Sequence, residues 1–184
     1  MTSDDLRLTA MGLLAETFAG LHAKLAPTLA AHGMSPMEFE VLLRLSRSPG
    51  ARLRMTDLAD QAVLSTSGVT RVVDRLERSG AVAREVCASD RRGSFAVLTN
   101  DGARRLAAVV PAHLADIDRW FTGALTPAQL DGLLDALRIV RDRVLPCATA
   151  GSGACAGADA GQELTDQVLT FQDHSISGMN PPVR

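Results

Sequence analysis

Asp90, Arg91 and Arg92 stand together where a short polar turn is expected. A turn needs polarity, but it does not need two adjacent guanidinium groups. In an extended stretch Asp90 and Arg92 point to one side, so the carboxylate can hold the Arg92 guanidinium in one orientation. A pre-aimed arginine on a protruding tip suits the narrow, electronegative minor groove of duplex DNA. Arg91, on the other side, is placed for backbone phosphates. A second polar group lies upstream: Ser65, Thr66, Ser67, Thr70, Arg71, Asp74 and Arg75 all fall off the apolar stripe of Val69, Val72, Val73 and Leu76. Small hydroxyl residues at a helix start let the backbone approach a phosphate, and Arg71 has the reach for a guanine edge or a phosphate oxygen. Each group has a plain alternative: a solvated helix face for 65–75, and a weak surface ion pair for Asp90 and Arg92.

The elements that must position these residues are legible from caps and periodicity. Met11, Leu14, Phe18, Leu21, Leu25 and Leu29 form a helical stripe, with Pro27 predicting a kink or split near its end. Ser35, Pro36 and Glu38 form a helix-start signal, and that second helix stops at Ser48–Gly50. A short extended piece, "ARLR", leads into a short helix from Met55 to about Ala62. Ser65 caps the next helix, Leu64 and Val69 are spaced as a hydrophobic staple, and Gly80 takes the C′ position. "AVAREV" and "SFAVL" read as two short strands joined by "CASDRRG". Thr99 caps a long helix with a possible kink site at Pro111, and Thr126, Pro127 and Gln129 open the last one. Residues 147–184 are small, polar and low in complexity, and are expected to form a disordered tail.

Helix, short strand, helix, helix, strand, turn, strand is the order of a winged helix-turn-helix, in which one short helix braces a second that enters the major groove. The expected fold is mainly α with a small β-wing. The string "DRRGSFAVLTNDG" resembles the wing signature of the multiple-antibiotic-resistance-regulator (MarR) family, where an Asp-x-Arg wing leads into Leu-Thr before the next helix. "LADQAVLSTSGVTRVVDRLERSGAVAREV" is similar to that family's recognition-helix region. The resemblance covers about residues 6–146. It implies a homodimer on a pseudo-palindromic duplex, with helices 6–33 and 100–146 for dimerisation and 34–99 as the DNA-binding lobe. It also implies Arg92 as the minor-groove arginine, Asp90 as its orienting partner and Ser65–Arg75 as the major-groove reader. Arg54 stands where members often place Thr or Ser, which leaves the start of the bracing helix open and makes Arg54 a further phosphate contact.

Bulk properties are consistent with that reading. Net charge is −2, yet residues 52–105 hold ten Arg against seven acids, a +3 window inside a remainder of −5. The chain-end helices carry apolar stripes that two copies packed together would bury. The resemblance implies a small-molecule crevice, for which Phe18, His22 and Phe39 are the candidate lining residues, and release of a repressor by its ligand. Redox control through Cys87, or through Cys147 and Cys155, is the rival input. A protein-docking module is the rival class. The three cysteines and four histidines make no metal-ligand pattern, and no nucleophile–base pair or phosphate-cradling loop stands out, so neither cofactor nor enzyme activity is expected. With no leader pattern and no stretch of about 20 apolar residues, the expected location is the cytoplasm.

Overall fold

A computed structural model of the chain describes residues 5–87 and 90–145, with 87 and 90–93 described by backbone alone. The expected tail, 147–184, and the cysteines at 147 and 155 lie outside the described residues. Among the described residues, six α-helices and three strands follow one another: α1 (Leu6–Ala31), α2 (Pro36–Ser46), β1 (Arg52–Arg54), α3 (Met55–Gln61), α4 (Thr66–Arg78), β2 (Val82–Cys87), β3 (Asp90–Leu98), α5 (Asn100–Trp120) and α6 (Pro127–Val144). They form two compact units. Of the described residues, one unit holds 5–36 with Val109–Leu137, and the other holds those of 37–108 with 138–145.

The second unit is built around a three-stranded antiparallel sheet of order β1-β3-β2. Val41, Leu42 and Leu45 of α2, Leu58 of α3, Val69 and Val73 of α4 and Leu106 of α5 are fully buried around it. Each such side chain contributes about 1.5–3 kcal/mol of transfer free energy. The expected end signal of α4 is realised in full. Gly80 takes φ +76°, its N–H donates to Glu77 O at 2.9 Å, and Ala81 N–H donates to Leu76 O at 2.9 Å. That is the paired hydrogen bonding of a Schellman stop, and it turns the chain directly into β2. α5 starts against the same turn: Thr99 Oγ1 accepts from Gly102 N at 3.0 Å and donates to Gly80 O at 2.7 Å.

In the first unit, Asp5 caps α1 by accepting from Arg7 N at 2.9 Å, and the Arg7 guanidinium lowers the Asp5 pKa. α1 continues through Pro27 as one helix to Ala31, and α5 likewise runs through Pro111, so neither proline splits its helix. A proline interior to a helix removes one backbone bond, which the remaining turns of a long helix tolerate. Thr28 hydrogen-bonds Asp116, and the Lys24 ammonium sits 4.5 Å from the Trp120 ring centre. The predicted stripe of α1 is buried only toward its C-terminal end. Leu29 is covered, whereas Leu6, Met11, Leu14 and Phe18 are exposed. α6 opens with the predicted reciprocal cap: Thr126 N donates to Gln129 Oε1 at 2.9 Å and Gln129 N donates to Thr126 Oγ1 at 3.4 Å.

The start of β3 differs from the sequence reading. β3 begins at Asp90 rather than Ser94, so Asp90–Gly93 belong to the strand. The register explains it: Val86 pairs Ser94 while Cys87 pairs Asp90, leaving Arg91, Arg92 and Gly93 as extra residues opposite that step. The charged side chains hid a strand start that the pairing of Asp90 with Cys87 marks. The irregularity also interrupts strict in–out alternation between Asp90 and Ser94.

Candidate nucleic-acid interface

α3 and α4 form the helix pair, joined by Ala62–Ser65 with Val63 at a left-handed φ of +54°. Ser65 is the N-cap of α4, its Oγ accepting from Gly68 N at 3.1 Å and lying 3.1 Å from Ser67 Oγ. Thr70 Oγ1 is turned back onto Thr66 O at 2.7 Å. With Val69, Val72, Val73 and Leu76 buried, the opposite face of α4 is set by geometry. Ser67, Arg71 and Arg78 fall within about 40° of one another on a 3.6-residue wheel and are exposed.

The two flanks of that face are tied down. On one side Arg75 Nε lies 3.5 Å from Oε1 of Glu38, a nearly buried α2 residue. On the other, Arg84 of β2 pairs with Asp74 and sits 3.5 Å from Glu77 Oε2. Arg75, expected to reach DNA, is therefore spent partly on an internal ion pair. Arg71 makes no ion pair with any described residue, so its guanidinium is available to a ligand.

Arg78 and Arg84 escaped the sequence reading. Arg78 could have been found, because it lies seven residues, two helical turns, after Arg71. The Arg84 pairing could not, since it depends on how the Gly80 turn folds β2 back along α4. Arg54 ends β1 and is the N-cap of α3 without a side-chain cap bond; its guanidinium carbon is 5.6 Å from the Phe95 ring centre. Arg52, two residues earlier, lies closer over the same ring, at 4.3 Å, and pairs with Glu85 at 3.2 Å. The sheet thus carries stacked, held guanidinium groups along β1.

Asp90, Arg91 and Arg92 are in β3 next to the turn, at the tip of the β2–β3 hairpin, and their side chains lie outside the described residues. Cys87, the last residue of β2, shares that status, and the neighbouring Arg84 guanidinium is directed to α4. Of the candidate effector residues, Phe18 and His22 are exposed on α1 with ring centres 6.3 Å apart. Phe39 is buried in the second unit. Among the described residues no group of His, Cys, Asp and Glu could hold a metal ion, and no helix is long and apolar enough to cross a membrane.

Comparison with known proteins agrees with this geometry. The sequence model of the MarR family matches residues 32–93, from the end of α1 to the wing. AbsC, a MarR family transcriptional regulator from Streptomyces coelicolor, superposes with a TM-score of 0.72 at 35% identity, covering 78% of this chain and 97% of its own. The chain belongs to the MarR family. As a MarR-family protein it is a winged-helix transcriptional regulator and not an enzyme. Sco3205, a MarR family regulator from the same organism whose structure is of a complex with DNA, gives a TM-score of 0.71 at 34% identity over 79% of this chain and 91% of its own. A transcriptional repressor of Mycobacterium bovis, Mb2911, is 37% identical over 103 residues, which are 54% of this chain and 73% of that protein.

Proposed function

We propose that this regulator binds a pseudo-palindromic DNA duplex as a homodimer and represses transcription until a small-molecule effector lowers its affinity. The observation that carries the reading is the outward face of α4, where Ser67, Arg71 and Arg78 are exposed beside a hairpin whose tip holds Arg91 and Arg92. α4 enters the major groove, with Ser65 and Thr66 bringing the helix N-terminus near phosphate and Arg71 reaching a base edge or phosphate. The wing takes the neighbouring minor groove through Arg92, oriented by Asp90, while Arg91 and Arg54 meet phosphates. The DNA complex of Sco3205 and the repressor role of Mb2911 support this assignment.

Dimerisation is supported by what a single copy leaves uncovered. Leu6, Met11 and Phe18 of α1 and Ile139 and Val144 of α6 are all more than 60% exposed. A soluble protein rarely leaves that much apolar surface open, and a second copy covers it symmetrically. Phe18 and His22 are the effector contacts we assign, reached from the exposed side of α1.

The test is a fluorescence-anisotropy titration of full-length protein on a duplex from its gene's own upstream region. Binding is expected to saturate at one dimer per site, and Arg92→Ala is expected to weaken it about tenfold or more, since one lost bidentate or groove contact removes about 1–3 kcal/mol. A monomer by sedimentation, or unchanged affinity for Arg92→Ala, contradicts the reading.

A further inference from the structure

The groove-facing side of α4 carries a liability. Asp74 and Glu77 lie on it or at its edge, and a carboxylate held near a phosphate backbone is repulsive. Both are met by one residue from another element. Arg84, the third residue of β2, places its guanidinium on Asp74 Oδ1 by Nη2 and 3.5 Å from Glu77 Oε2 by Nε, and Nη2 also lies 3.5 Å from the Thr70 carbonyl oxygen. The three partners lie on one flank of α4, about 60° wide on the helical wheel. The next residue of β2 is anchored as well. Glu85 pairs with Arg52 at 3.2 Å, and Arg52 in turn stacks on Phe95 at 4.3 Å. β2 is thus held to the helix by Arg84 and across the sheet to β1 by Glu85.

We propose that Arg84 is a positioning residue for DNA recognition, which neutralises Asp74 and Glu77 on the reading helix and locks the first wing strand to that helix. Arg84 touches no DNA in this account. Its side chain is two-thirds covered and its guanidinium is directed at α4, so it acts by setting the charge and the spacing of the two elements that make contact. The inference rests on the proposed DNA binding and deepens it. Of the ten arginines between 52 and 105, it separates those that meet the duplex from one that neutralises the two carboxylates beside them.

The experiment measures affinity for the upstream duplex over a series of KCl concentrations, with full-length wild type, Arg84→Ala, Arg84→Lys and the triple variant Arg84→Ala/Asp74→Asn/Glu77→Gln. Wild type must bind; a wild type that does not bind removes the proposed function itself, and the inference falls with it. Given wild-type binding, Arg84→Ala is expected to lose about tenfold in affinity, through like-charge repulsion, with its log–log salt slope within about half a contact of wild type. Arg84→Lys, which keeps the charge, is expected to recover to within about threefold. The triple variant has neither the cation nor the carboxylates, so it reads the charge effect even where Arg84→Ala alone folds poorly. It is expected within about threefold of wild type. A slope reduced by about 0.9 in Arg84→Ala, with no recovery in the triple variant, makes Arg84 a phosphate contact and overturns the proposal. Unchanged affinity in Arg84→Ala overturns it equally.

Discussion

Gly102→Ala tests how the start of α5 is seated on the turn between α4 and β2, and its magnitude follows from the local geometry. A Cβ at Gly102 would fall on the Ala81 carbonyl oxygen and lie 2.9 Å from both the Ala81 carbonyl carbon and Leu98 Cδ1. Two of those three atoms are backbone, in the turn that links α4 to β2, so no rotamer change makes room. That carbonyl also accepts from Thr99 N at 3.2 Å, and Thr99 in turn caps Gly102 and bonds Gly80 O. Moving α5 outward strains or breaks this cluster. Overpacking of a tight contact costs about 1–3 kcal/mol and a lost helix cap about 1 kcal/mol, so the expected destabilisation is about 3 kcal/mol. For a chain of this size each kcal/mol lowers Tm by about 2–4 °C, giving a drop of about 6–12 °C. Differential scanning calorimetry of the full-length protein measures it. Gly80→Ala is the control: its φ of +76° disfavours a side chain, but nothing lies within 4 Å. Its cost is conformational, about 1–2 kcal/mol, and smaller than at Gly102. A Gly102→Ala variant within 2 °C of wild type, on a scale where about 3 kcal/mol is expected, would refute the seating described.

Three further outcomes follow from the same structure. Val63, β-branched, 70% exposed and at φ +54° in the turn between α3 and α4, is strained; Val63→Gly is expected to raise stability by about 0.5–1 kcal/mol in urea denaturation, and a loss would place a packing role on that side chain. His113 is buried, and burial lowers its pKa from 6.5 despite the opposing charge of Asp116. The unfolded chain therefore takes up a proton first as pH falls, so stability is constant above about pH 6.5 and declines below it, levelling off below the folded pKa. His113→Gln is expected to flatten that decline in a Tm-against-pH series, and an identical pH profile would contradict it. Ser65→Ala removes the cap of α4 and is expected to cost about 1 kcal/mol by thermal unfolding; a change below about 0.3 kcal/mol would mean that solvent replaces the bond.

How much of this was legible in the sequence depended on whether the signal was local. The caps at Ser65, Thr99 and Thr126 and the stop at Gly80 were readable because each is a contact within a few residues of chain. The buried stripe of α4 was readable from its period, and with it the outward position of Arg71. What escaped was non-local. Arg75 and Glu38 are 37 positions apart and meet only once α2 packs on α4. The start of β3 was hidden because Asp90–Arg92 look like turn residues, while Asp90 pairs with Cys87 of β2. Pro27 looked like a break, but a helix of 26 residues absorbs the loss of one hydrogen bond.

If α4 presents Arg71 to DNA, as proposed, while Glu38 holds Arg75, the two arginines must respond differently to removal. Affinity for the upstream duplex is measured for Arg71→Ala and Arg75→Ala across a salt series. Arg71→Ala is expected to lose at least about tenfold, with the log–log slope falling by about 0.9 if the contact is a phosphate, or specificity relaxing at one base pair if it is a guanine edge. Arg75→Ala is expected to change the slope by less than half a contact. Full affinity, slope and specificity in Arg71→Ala would contradict the account.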